Sequence, residues 1–213
     1  MEKYIDIILK SSLFNNIDRN EVLNIINGFG YQNKSYKKGN IIIDIGDCID
    51  NIYLILDGMV EVSKEYDDAR KNIVNILNAG DIFAESFALS TNKISTIQAL
   101  SFTDTKILKI NTNNIFNNAI FLQNLIRVLS DKNIFLSIKN DILSQKSLRS
   151  KIMLYLKYMS NIQKSNNIII PYNRDKLSEF ISSDRSALSR ELNRLSKEKI
   201  IKLEGNKITI LKH

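Results

Sequence analysis

The residues best equipped for chemistry are the cations of the last third of the chain: Arg185, Arg190, Arg194 and Lys197, with Ser186 and Ser189 among them. Their spacing by threes and fours predicts one side of a helix, whose other side is Leu188, Leu192 and Leu195. A guanidinium offers paired N–H donors in a fixed fork that matches guanine O6 and N7, so Arg185 and Arg190 are candidates to read base edges. Ser186 and Ser189 suit a base or a phosphate equally. Lys176, Lys197, Lys199 and Lys207 are point charges, fitted to phosphate contacts that hold register without reading sequence. Two of the arginines also have a structural alternative. Arg190 is near enough in sequence to pair with Glu191 or Glu204, and Arg194 is as well placed for an ion pair as for a groove.

Charge along the chain supports the same assignment. Residues 1–147 carry sixteen Lys and Arg against seventeen Asp and Glu, whereas residues 148–213 carry fourteen against six. The whole basic excess lies in the last third, as expected of a nucleic-acid-binding domain joined to a near-neutral one. Other chemistries lack their residues. The one histidine is His213 and the one cysteine is Cys48, so there is no nucleophile–base pair, no metal-ligand cluster and no internal disulfide, and an enzyme is not expected. A lone cysteine of this kind reads as a buried packing residue. No apolar run approaches the roughly 18 residues of a membrane span, and the start, MEKYIDIILKSSLF, has no cleavage signature. The chain reads as cytoplasmic, with no membrane partner.

The elements that would position these residues follow from pattern. From Tyr36 to Ile110, short apolar runs such as NIYLILDGMVEVSKEY and KNIVNILNAGDIFAES are punctuated by Gly39, Gly46, Gly58 and Gly80, predicting an antiparallel β-roll. Leu13, Ile17, Val22, Leu23 and Ile26 predict one or two short helices that lid it. Residues 113–145 contain neither Gly nor Pro and predict a long amphipathic helix, interrupted in its apolar seam by Lys132 and Lys139. Leu125, Val128, Leu129, Phe135 and Ile142 are the expected contacts with a second copy of the chain.

Arg149–Ser160 begins a second helical domain with Ile152, Leu154, Tyr155, Leu156 and Met159 inward, and IIIPYN reads as a strand ended by Pro171. Asn173 or Arg174 then opens a short helix with Leu177, Phe180 and Ile181 inward. Ser182 and Ser183 turn the chain, and Ser183 or Asp184 caps the basic helix. Two helices joined this closely form a helix-turn-helix, and the hairpin predicted around Gly205 and Asn206 is its wing. The expected fold class is α+β: a jelly-roll-like effector domain over 1–112, a dimerisation helix over 113–147 and a winged helix-turn-helix over 148–213.

Over essentially its full length the chain resembles the cyclic-AMP receptor and fumarate-nitrate regulator family, Crp/Fnr. SSDRSALSREL resembles the family's recognition-helix motif, with Ser186 where glutamate is usual. GDIFAES resembles the turn opening the nucleotide-binding cassette, with Glu85 in the place of the ribose-binding glutamate and Ala84 in that of the preceding glycine. The resemblance implies a homodimer on palindromic double-stranded DNA, RNA polymerase as a partner, and an effector pocket including Glu85, Ser86, Phe87, Ile94, Ser95 and Leu125. In nucleotide-binding members an arginine before a serine or threonine holds the cyclic phosphate; here that pair is Ile94 and Ser95. An anionic phosphate would enter with no charge-assisted partner, and Lys93, on the opposite strand face, is a poor substitute. Cyclic AMP is therefore not expected. A family iron-sulfur cluster needs four cysteines. No cofactor is identifiable, and haem would need Cys48, His213 or other unusual ligands. The effector stays open between a different small molecule, haem, a redox or nitric-oxide signal, and none, because Phe87, Leu89, Ile94 and Leu125 suit plain core as well as ligand contacts. A cyclic-nucleotide-binding-like regulatory module without a DNA target would leave the basic helix idle.

Overall fold

The computed structural model describes residues 2–65, 71–170 and 173–211, so Pro171 and His213 lie outside the described residues. The chain divides into two compact units, Met1–Ser130 and Asp131–His213.

The first unit opens with α1 (Ile5–Lys10) and α2 (Arg19–Phe29), the latter capped by the Asp18 carboxylate, which accepts from Asn20 N–H at 2.8 Å. The strands are β1 (Tyr31–Tyr36), β2 (Ile41–Ile43), β3 (Asn51–Asp57), β4 (Met59–Glu65), β5 (Lys71–Asn78), β6 (Ile82–Phe83), β7 (Gln98–Ser101) and β8 (Thr105–Asn111), with α3 (Glu85–Ala88) between β6 and β7. They form two antiparallel four-stranded sheets, ordered β1-β8-β3-β6 and β2-β7-β4-β5. Strand β3 shows why NIYLILD is apolar throughout rather than alternating. Tyr53 and Ile55 enter the core of the roll with Val60, Val62, Ala99 and Ile107. Ile52, Leu54 and Leu56 enter a second core with Ile8, Phe14, Val22 and Ile26 of the N-terminal segment, so both faces of the strand are covered. The β3–β4 turn requires glycine: Gly58 has φ of 84° and a Cβ there would lie 2.3 Å from the Asp104 carbonyl oxygen.

Helix α4 (Ala119–Leu143) contains the division between the units, and several residues expected at an interface pack within one unit. Phe121, Leu125 and Val128 belong to the first unit's interior, and Ile142 to the second's. Phe135 lies 5.8 Å, ring to ring, from Phe180, and the Lys139 ammonium sits 5.4 Å over that same ring. The reason is that α4 carries two apolar stripes, about a quarter-turn apart. The second stripe is Leu122, Ile126, Leu129, Asn133, Leu136, Asn140 and Leu143, in which Ile126 is 55% and Leu136 56% exposed while Leu129 also packs on the first unit's core.

The second unit continues with α5 (Leu148–Gln163), β9 (Asn167–Ile169), α6 (Arg174–Ile181), α7 (Arg185–Lys197), β10 (Ile201–Glu204) and β11 (Lys207–Ile210). Ile152, Tyr155, Leu156, Leu177, Ile181, Leu188, Leu192 and Leu195 share its core. The expected hairpin forms, turning at Gly205 with φ of 64°, and β9 joins it as a third strand in the order β10-β11-β9. Gln163 closes the free edge of β9: its amide donates to the Ile169 carbonyl at 2.8 Å and accepts from the Ile169 N–H at 2.9 Å.

Candidate nucleic-acid interface

Helices α6 and α7 are separated by a three-residue turn whose geometry comes from small polar side chains. Asn173 caps α6 by accepting from Lys176 N–H at 2.9 Å, and Ser182 ends it in the left-handed conformation, φ 54°. Asp184 caps α7, accepting from the Ser186 and Ala187 N–H groups at 2.8 and 3.0 Å. The Ser186 hydroxyl also donates to Asp184, and these bonds, the hydroxyl's first, hold the Asp184 carboxyl below the usual carboxylate range. With Leu188, Leu192 and Leu195 buried, Arg185, Ser186, Arg190, Asn193, Arg194 and Lys197 are exposed and Ser189 is half-buried.

The four cations of α7 differ in their engagements. Arg185 Nε lies 3.1 Å from Asp175 Oδ1. Arg194 donates from Nε to Glu198 at 3.1 Å, one turn on, so the intrahelical alternative is realised for that residue. Among the described residues neither Arg190 nor Lys197 has an ion pair, and Arg190 reaches neither Glu191 nor Glu204. Lys176 stands exposed on the first turn of α6, while Arg174 donates to the Gly205 carbonyl at 3.4 Å and is partly buried, which lowers its pKa.

Three residues that fix α7 escape the sequence reading. Arg149, on the first turn of α5, donates from Nε to Glu191 at 2.6 Å and from Nη1 and Nη2 to the two Glu198 oxygens at 2.8 and 2.9 Å. Glu191 and Glu198 flank α7 near its middle and its end. Their separation from Arg149 by 42 and 49 residues leaves no local signal.

The residues expected around an effector do not all come together. Glu85 is 3% exposed and accepts from the Ser86 hydroxyl at 3.2 Å. Ala84 before it keeps the left-handed conformation of a glycine, φ 64° and ψ 2°. Phe87 packs on the roll core, but Leu125 and Leu89 belong to the other core of this unit. Ile94 is 44% exposed and bridges Cys48, which is itself exposed, so neither is the interior residue expected. The short 44–48 and 93–95 segments pair edge to edge and leave both side chains outside the roll. Ser95 is buried, but its hydroxyl donates to the Ile97 carbonyl at 2.8 Å and accepts from Ile97 N–H at 3.3 Å. Lys93 is held by Asp50 at 2.6 Å.

Comparison with known proteins agrees with this division. The family model for the Cyclic nucleotide-binding domain matches residues 33–119, and that for the Crp-like helix-turn-helix domain matches residues 150–213. The chain is 28% identical over 188 residues to the putative HTH-type transcriptional regulator ycf28 of Porphyra purpurea, covering 83% of this chain and 76% of that protein. The fold is shared with the catabolite activator protein of Thermus thermophilus, with TM-score 0.58, 20% identity, and 94% and 93% of the two chains covered. A CooA variant from Carboxydothermus hydrogenoformans gives TM-score 0.63 and 21% identity over 95% and 90%. With one family model on the roll and the other on the helix-turn-helix, in the order and over the spans that the two units require, the chain belongs to the Crp/Fnr family of DNA-binding transcription regulators.

Proposed function

We propose that the chain acts as a homodimer on a two-fold-symmetric operator, reading bases with Arg185 and Arg190 and holding phosphates with Lys176 and Lys197. The observation that carries this reading is the outward row of α7, where Arg190 and Lys197 stand exposed on a helix whose opposite face is fully buried. Arg190 then supplies the bidentate guanine contact with no ion pair to displace. Ser186 and Ser189 fall on the same side. Arg194, already paired with Glu198, contributes positive potential rather than a base contact. RNA polymerase as partner and the cytoplasm as compartment follow from family resemblance.

The second copy docks on the exposed stripe of α4. Leu122, Leu129, Leu136 and Leu143 occupy one heptad position, and Ile126, Asn133 and Asn140 the other. Leucine at d and a polar asparagine at a is the pattern that favours two parallel strands in one register. Two recognition helices related by that axis bind half-sites about one helical turn apart.

In this reading neither cyclic AMP nor an iron-sulfur cluster is the effector. Glu85 is in place for a ribose, but Ile94 offers no charge to a phosphate and Lys93 is committed to Asp50. The remaining alternatives are another small molecule, haem, a redox or nitric-oxide signal, and no effector at all.

A randomised-operator selection followed by affinity at several salt concentrations tests the reading. Arg190→Ala is expected to cost about 1–3 kcal/mol per half-site and to relax preference at one base pair, leaving random-sequence binding nearly intact. Lys197→Ala is expected to weaken all sequences equally and to lower the salt slope by about one for each phosphate it no longer holds. An unselective wild type, or unchanged preference in Arg190→Ala, overturns the assignment.

A further inference from the structure

We infer that Asp175 is a specificity-determining positioning residue: its carboxylate orients Arg185 so that the guanidinium's Nη edge faces guanine. This rests on the reading of α7 as the recognition helix.

The two residues meet across the helix-turn-helix. Asp175 is the second residue of α6 and Arg185 the first of α7, and the left-handed Ser182 and the Asp184 cap fold them together. The nearest approach is Arg185 Nε, 3.1 Å from Asp175 Oδ1, an ion pair between two side chains that are both more than half exposed. A guanidinium has five N–H donors, one on Nε and two on each Nη. The contact is an ion pair without hydrogen-bond geometry, so the carboxylate anchors the guanidinium by charge, and among the described residues the Arg185 Nη groups make no hydrogen bond. Bidentate reading of guanine O6 and N7 needs two parallel donors from this planar group. Arg149 provides the contrast. Its Nε goes to Glu191 and both Nη groups go to Glu198, so no donor pair is left for a ligand.

Without Asp175, the exposed Arg185 side chain has four rotatable bonds and, among the described residues, no other ion pair to select among its rotamers. Aspartate has a short stem and ties the arginine to the α6 backbone. A negative charge at this place also has a cost in the complex, since phosphates pass the first turns of α6 and α7. Its removal acts in opposite directions on the two modes of binding: specific reading weakens and non-specific binding strengthens. Loss of folding or of general affinity cannot produce that pair of signs.

The experiment uses the full chain: wild type, Asp175→Ala, Asp175→Asn, Arg185→Ala and the Asp175→Ala/Arg185→Ala double variant. Each is taken through operator selection and through titration of a random-sequence duplex, with thermal melting to verify folding. Asp175→Ala is expected to lower discrimination about tenfold at the same base pair of each half-site that Arg185→Ala affects, while random duplex binds about twofold more tightly. Asp175→Asn, which keeps an acceptor oxygen, is expected to retain more of the discrimination than Asp175→Ala. The double variant is expected to match Arg185→Ala at that base pair. If Arg185→Ala loses a preference that Asp175→Ala keeps, or the two lose preferences at different base pairs, the positioning role is overturned and the recognition-helix reading stands. If Arg185→Ala itself keeps every preference of a selective wild type, Arg185 does not read DNA and the positioning role of Asp175 falls with that assignment.

Discussion

Arg149 and Glu198 form a two-toothed ion pair, Nη1 and Nη2 each on one carboxylate oxygen at 2.8 and 2.9 Å, which joins the first turn of α5 to the end of α7. The pairing holds the Glu198 carboxyl below its ordinary value of 4.5, the Arg149 hydrogen bonds being the largest cause. A depressed carboxylate contributes stability that is complete above its unfolded pKa and is lost as pH falls through the lower folded one. Melting of the protein between pH 6 and pH 3 is thus expected to show an acid limb beginning below about 4.5 that is shallower in Arg149→Met. Identical limbs in the two proteins would show that the pair does not stabilise the fold.

Ala84 and Gly58 make opposite predictions from the same torsion angle. Both have positive φ, 64° and 84°. Ala84 carries a Cβ in the left-handed region at a cost of about 1 kcal/mol. Ala84→Gly relieves that strain but gains unfolded-state freedom, so a net stabilisation of about 0.5 kcal/mol is expected from denaturant unfolding. Gly58→Ala drives a methyl to 2.3 Å from the Asp104 carbonyl oxygen and is expected to destabilise by about 3 kcal/mol. A destabilised Ala84→Gly would mean that the Cβ packs more usefully than its strain costs.

The pocket prediction turns on Ile94. Calorimetric titration of cyclic AMP is expected to give no saturable heat at micromolar ligand, because the position that should carry the phosphate's cation is an exposed isoleucine and the adjacent lysine is bound to Asp50. Ile94→Arg is not expected to restore affinity, because that side chain stands exposed while Glu85 lies buried at the start of α3. Micromolar binding by the wild type would refute the exclusion of cyclic nucleotides.

How far sequence carries depends on whether the determining contacts are local. Leu188, Leu192 and Leu195 follow one helical period, and the caps Asn173 and Asp184 lie within three residues of the amides they satisfy, so the helix-turn-helix is legible in full. The long helix is legible as a helix but not as a surface. Leu125, Val128 and Ile142 match a three-four spacing as well as Leu122, Ile126, Leu129 and Leu136 do, and only tertiary packing separates those that meet their own unit, Leu129 among them, from Ile126 and Leu136, which stay exposed. Arg149 gives no signal because both its partners are more than forty residues away. Cys48 and Ile94 stand outside, against the inward expectation, because a short edge pairing rather than apolarity sets their exposure.

That ambiguity in α4 gives the last prediction its discriminating power. Phe135, which sequence alone would mutate to break a dimer, packs on Phe180 in the helix-turn-helix unit. Phe135→Asp is therefore expected to lower the melting temperature of that unit by placing a charge against its core. Ile126→Asp and Leu136→Asp, at exposed positions, instead put two carboxylates face to face across the proposed two-fold axis. Sedimentation equilibrium is expected to show them as monomers, with operator affinity falling because each half-site then binds one recognition helix alone. Asn133 and Asn140 test register separately from association. Each asparagine pair in an apolar seam is satisfied only by its own counterpart, so it penalises shifted or antiparallel pairing and higher oligomers. Replacing both with leucine should tighten self-association while admitting species larger than a dimer, and operator affinity should fall although association has strengthened. If Ile126→Asp and Leu136→Asp remained dimeric while folded, the second copy would dock elsewhere. If the double leucine variant kept a single dimeric species at full operator affinity, the asparagines would have no part in setting the register.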